Sequence, residues 1–168
     1  MKRIQQMPGV LTTRRPTRRQ RGSTLLEFGL VVPILILMLL GIIEFGWLVK
    51  NHLTIANATR EGARIASLGK TDAEIRARIK SSAQPVALLD SPPGTNIILT
   101  RSGDKGATYT AFPADNTSVT PNENGVQSGD LMKVTVKVNH TALTNLPFFN
   151  NKEILVAVTM VREKQNGP

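Results

Sequence analysis

The chain has 168 residues and a mass of 18.3 kDa, enough for one domain with a tail and too little for a large multidomain enzyme. Its formal charge of +9 is unevenly placed: residues 1–22 carry seven basic and no acidic side chains, and the remainder is close to neutral. That distribution excludes a uniformly basic nucleic-acid-binding body. The lack of cysteine excludes a disulfide scaffold, a thiolate metal site and a cysteine nucleophile.

Residues 1–22 contain proline and show no hydrophobic periodicity, with Arg14, Arg15, Arg18, Arg19 and Arg21 crowded towards the end. Like charges repel and there is little apolar surface to bury, so the segment reads as a tail. Between Glu27 and Lys50 the run FGLVVPILILMLLGIIEFGWLV holds one charge, Glu44. As a helix it is about 33 Å long, against about 30 Å for a bilayer's hydrocarbon core. A helix apolar on every side from Phe28 to Ile43 needs apolar surroundings all round, which so small a chain can hardly provide as protein. Residues 23–49 therefore read as a transmembrane helix. Pro33 removes the hydrogen bond to the Gly29 carbonyl and predicts a bend. Trp47 suits either the headgroup level or packing against the following domain. Seven positive residues precede the span and only Lys50, Arg60 and Arg64 follow it closely. This imbalance predicts a cytoplasmic amino terminus and an extracytoplasmic domain over residues 50–168.

From Lys50 to Leu68 the helical pattern continues but becomes amphipathic. Ala58, Gly62 and Ala66, four residues apart, form a strip that something approaches closely, either the protein's own domain or a helix of another subunit. Gly69 reads as a helix stop, and Thr71-Asp72-Ala73-Glu74 as a capping box opening a short helix to about Ala83. Ile75 and Ile79 give that helix an apolar edge; Arg76, Arg78 and Lys80 read as its solvated face.

Beyond Pro85 the punctuation becomes turn-like and the apolar period falls to two, predicting strands at 96–101, 107–112, 131–140 and 153–162. In the third, Val134, Val136 and Val138 alternate with Lys133, Thr135 and Lys137, which predicts one buried face and one wet face. The polar connection 113–130 reads as a surface loop that could carry recognition. With no long helices between the strands, the expected fold is α+β: a long helix, a short helix and an antiparallel meander of about four strands. His140 reads as a surface or edge residue. Glu44, Glu61 and Asp72 show no pairing beyond ordinary helix spacing, so neither enzymatic activity nor a metal or cofactor is expected.

Arg21-Gly22-Ser23-Thr24-Leu25-Leu26-Glu27-Phe28, where the basic tail meets the apolar run, is the most informative stretch. Thr24 and Glu27 fit a capping box. That reading does not account for a glycine directly after a positive cluster. The stretch resembles a prepilin processing site, which implies that a membrane prepilin peptidase cuts between Gly22 and Ser23. Glu27 would then be fifth and Phe28 sixth in the mature chain, a pair similar to the tight-adherence (Flp) branch. Ser23 departs from the phenylalanine that begins the commonest type IV pilins.

Glycine gives a protease close access to the backbone, and cytoplasmic arginines hold the cut site at the membrane surface. Cleavage frees a Ser23 amine of reference pKa about 8, mostly charged at neutral pH. Glu27 of a neighbouring subunit could pair with it. At about 4 Å and an effective dielectric of about 20 the attraction is about 4 kcal/mol before desolvation, and it would set register between subunits. Capping and pairing are compatible roles.

A wider resemblance covers Gly22 to Pro33, Gly41-Ile42-Ile43-Glu44-Phe45-Gly46, Ala58-Thr59-Arg60-Glu61-Gly62-Ala63-Arg64 and Met160-Val161-Arg162-Glu163. These look like the TadE-like family, pseudopilin or minor-pilin components of tight-adherence pilus systems. The resemblance implies a non-enzymatic, pilin-like subunit of the bacterial inner membrane. Its implied partners are prepilin peptidase, other pilin or pseudopilin subunits, the inner-membrane assembly machinery and membrane lipid, with no specific nucleic acid. A secretory signal cleaved at Ala56-Asn57-Ala58 conflicts with the length of the apolar stretch and with Lys50 and His52. A generic membrane-anchored extracytoplasmic binding domain is the alternative, and it would keep its basic tail.

Overall fold

The structure, a computed structural model, describes residues 20–118, 123–144 and 152–163. In chain order it contains α1 (Gln20–Ser67), α2 (Asp72–Ser82), β1 (Ile97–Ser102), β2 (Thr110–Ala111), β3 (Leu131–His140) and β4 (Lys152–Val161). Two compact units divide it, residues 1–40 and 41–168, with α1 contributing to both.

In the first unit the described part of α1 turns its apolar side chains outward: Leu30, Ile34 and Met38 are each more than half exposed. Pro33 lies inside the helix without ending it. Because α1 starts at Gln20, Thr24 sits inside the helix rather than at its amino-terminal cap. A helical residue does not have the extended conformation of an amino-terminal cap, so Thr24 is not the cap that the sequence suggested. Gln20 and Arg21, both good helix formers, carry the helix back into the basic segment.

The second unit packs the rest of α1, with α2, against one face of a four-stranded antiparallel sheet ordered β2-β1-β3-β4. Consecutive strands pair, except that β3 lies beside β1 with β2 on β1's other side. The inner face follows the alternation in β3. Met132, Val134 and Val136 are buried, and they oppose Met160, Val158 and Val156 of β4 across the ladder. Ile55, Ala58, Ala63 and Ala66 of α1 and Ile75 and Ile79 of α2 complete this core.

The second predicted strand is shortened to Thr110–Ala111 because its first half is recruited into a turn. Asp104 accepts hydrogen bonds from the Ser102 hydroxyl and from the Thr108 backbone and hydroxyl, and Gly106 has φ 98°. Such side-chain acceptors compete with the ladder for the backbone.

Helix ends follow the local chemistry. The Gly69 amide bonds to the Ala66 carbonyl and the Lys70 amide to the Ile65 carbonyl, with Gly69 at φ 90°, the two bonds of a Schellman stop. Thr71 caps α2, with a reciprocal bond between its backbone amide and Glu74. The described part of the 113–130 connection is anchored as well as exposed. Buried Asn124 donates from its side chain to the Ala66 and Lys70 carbonyls and from its backbone to Gly69. Arg162, buried just past β4, donates to the Ser67 carbonyl at 3.0 Å and to Glu123 at 2.8 Å.

Candidate functional site

Two segments of α1 carry the chemistry anticipated from the sequence, and each lies in its own unit. In the first unit Gly22 is helical and exposed, with open space where a side chain would project. The Gly22–Ser23 peptide lies in the first described turn of α1. Glu27 and Phe28 are exposed on the helix surface. Arg14, Arg15, Arg18 and Arg19 lie outside the described residues; Arg21 is described only in its helical backbone.

In the second unit the strip of Ala58, Gly62 and Ala66 is buried. A Cβ on Gly62 would collide with the side chain of Ile79, so the neighbour close to the strip here is α2 of the same chain. Beside it Glu61 links α1 to α2. It receives two hydrogen bonds from Arg64 at 3.0 Å and two from Arg78 at 3.1 and 2.9 Å. These guanidinium donors hold its carboxyl at about 2.

Arg76 departs from the expected solvated face. Its guanidinium bonds to Asp72 at 2.8 Å, to Asp90 at 2.6 Å and to the Ile97 carbonyl at 2.6 Å, tying α2 to the start of β1. Asp90 also accepts the backbone amides of Gly94, Asn96 and Ile97. Burial alone would raise its pKa, but the Ile97 and Asn96 amides and Arg76 outweigh burial and lower it.

The least expected cluster surrounds Glu44, the one charge of the apolar run. Its side chain is fully buried. The carboxylate accepts the Leu143 amide at 2.9 Å, the Thr144 amide at 2.9 Å and the Thr144 hydroxyl at 2.8 Å. His140, expected at the surface, is also buried, with Nε2 at 3.4 Å from Glu44 Oε1. The two atoms are close, although the alignment is not that of a hydrogen bond. Asn51, two helical turns beyond Glu44 and on the same face, approaches His140 Nδ1 at 3.4 Å. An amide donating to Nδ1 leaves the neutral ring's proton on Nε2, facing the carboxylate. Burial follows because β3 ends at His140 and the chain turns back under α1; nothing in the local sequence marks a contact about a hundred residues away.

Trp47 is half-buried, with the Lys50 ammonium 4.2 Å from its ring centroid, a cation–π contact. A groove of about 400 Å³ opens beside it, lined by Trp47, Val86, Val138, Leu143 and Ile154. Among the described residues no group of three or more His, Asp or Glu side chains is placed to hold a metal ion.

Residues 22–64 match a family model described as TadE-like protein. The match begins at the glycine that ends the basic segment and runs nearly to the end of α1. It includes three of the stretches singled out in the sequence and excludes the fourth, Met160–Glu163, together with α2 and the sheet. No curated protein and no solved structure gives a match.

Proposed function

Since residues 22–64 form a TadE-like region, which relates the chain to Tad pilus systems, we propose that it is a non-enzymatic pseudopilin or minor-pilin subunit, processed by a prepilin peptidase and acting in tight-adherence pilus assembly. The observation that carries this reading is the coincidence of three features at one point. A positive cluster ends at Gly22, the family match starts there, and an apolar helix with an acid at Glu27 follows. The helix anchors the chain in the inner membrane with its amino terminus in the cytoplasm, as the surplus of arginine before it favours. Cleavage after Gly22 removes that surplus and frees the Ser23 amine. Glu27 of an adjacent subunit then meets the amine and sets the axial register.

Amino-terminal sequencing of membrane-fraction protein, with and without prepilin peptidase, tests the reading. The expected mature protein begins at Ser23 and appears only with the peptidase. Gly22→Val should block maturation, whereas Glu27→Ala should mature normally and assemble poorly. Protein that stays full-length in the presence of the peptidase would instead favour a membrane-anchored binding domain that keeps its tail.

A further inference from the structure

Glu44 holds the two residues Leu143 and Thr144 beside α1. It accepts hydrogen bonds from both Leu143 and Thr144, so these residues lie level with a position inside the apolar run. Lys50, the first cation after the run, is six residues further along α1, or about 9 Å at the helical rise. The side chains around the Glu44 cluster are apolar and outward-facing: Ile42 is 67% exposed, Phe45 60% and Leu143 61%. A groove of about 650 Å³ shares Phe45 with this surface and is lined also by Leu48, Val49 and Leu155, with Lys152 and Glu153 on its wall. Trp47 under Lys50 is the pairing expected where hydrocarbon gives way to headgroups.

We propose that this end of the second unit is seated in a phospholipid bilayer. Ile42, Phe45 and Leu143 lie among acyl chains, Lys50 and Lys152 extend their flexible stems to headgroup phosphates, and Glu44 is the positioning residue that holds Leu143 at that depth. The occupant is lipid because the patch includes outward apolar residues of the run itself, and because Lys50 and Lys152 at its rim outnumber the one carboxylate there, Glu153, and so favour phosphate. The inference rests on the membrane-span reading of α1 and adds that the folded domain itself enters the interface.

The cysteine-free sequence permits clean single-site nitroxide labelling. Full-length protein in phosphatidylethanolamine and phosphatidylglycerol vesicles would carry a label through Leu143→Cys, Leu35→Cys or Ser128→Cys. Leu35 is a control within the span, and Ser128 is an exposed control at the opposite end of the sheet. The ratio of collisions with oxygen to collisions with a water-soluble nickel chelate should be several-fold higher at 143 than at 128 and approach that at 35. A ratio at 143 equal to that at 128, with 35 lipid-like, overturns the seating and leaves the span intact. A water-like ratio at 35 overturns both. Adding Glu44→Ala should lower the ratio at 143 without changing it at 35; an unchanged ratio at 143 removes Glu44 from the positioning role.

Discussion

Before Leu40, α1 shows its leucines and isoleucines to the outside; after Gly41, its alanines and Ile55 are sealed against α2 and the sheet. Gly29 and Gly62 make the same contrast, although Gly41 and Gly46 in the second unit's part of α1 are as open as Gly29. Gly29 has open space where a side chain would go, and Gly62 has the body of Ile79. The helix of the first unit therefore relies on its surroundings to cover it, whereas in the second unit α2 and the sheet cover the face that carries the alanines and Ile55. Large side chains are suited to the first condition, and small ones, which let another element approach, to the second.

The sharpest way to break this contrast is Gly62→Val, which drives two methyl groups into Ile79. A loss of about 3 kcal/mol is expected, read as a lower urea midpoint for the full chain in micelles. Arg162→Ala should cost about 2 kcal/mol, because the Ser67 carbonyl and Glu123 lose a buried donor. The same urea series reads it.

Acid should act next, through carboxylates of the second unit. The carboxyls of Asp90 and Glu61 titrate below their ordinary values of 3.8 and 4.5. Their stabilising contributions are thus complete above those values and lost as pH falls through the lowered ones. The urea midpoint should hold down to about pH 5 and then decline towards pH 2. Asp90→Asn should flatten part of that decline. Gly29→Ala should do least: a shift within about 0.5 kcal/mol, with a gain in helix propensity. A large loss there would mean that the outward face of the first unit is tightly packed in the folded protein.

Periodicity and capping made much of the architecture legible in advance. β3 has its predicted bounds because Val134, Val136 and Val138 alternate with Lys133, Thr135 and Lys137 at its centre, and Thr71 and Glu74 announce α2. The extent of β2 was hidden because the Asp104 turn competes for its residues. The polar ties were hidden for a different reason. Glu44 meets Leu143 and Thr144, His140 meets Asn51, and Arg162 meets Ser67 across separations of about a hundred residues. Local spacing carries no trace of such contacts. Arg76 was assigned to solvent by its place in a charged run, yet Asp90 and the Ile97 carbonyl draw it inward. For the proposed processing segment, Gly22, Ser23, Glu27 and Phe28 were read as a motif because the roles proposed for them depend on adjacency along the chain.

The far end of α1 is fastened by five hydrogen bonds onto residues 66–70: three from Asn124, one from the Arg162 guanidinium and one from the Glu163 backbone. They come from two separate stretches of chain, so the end of α1 is held to the rest of the second unit at several points besides its covalent continuation.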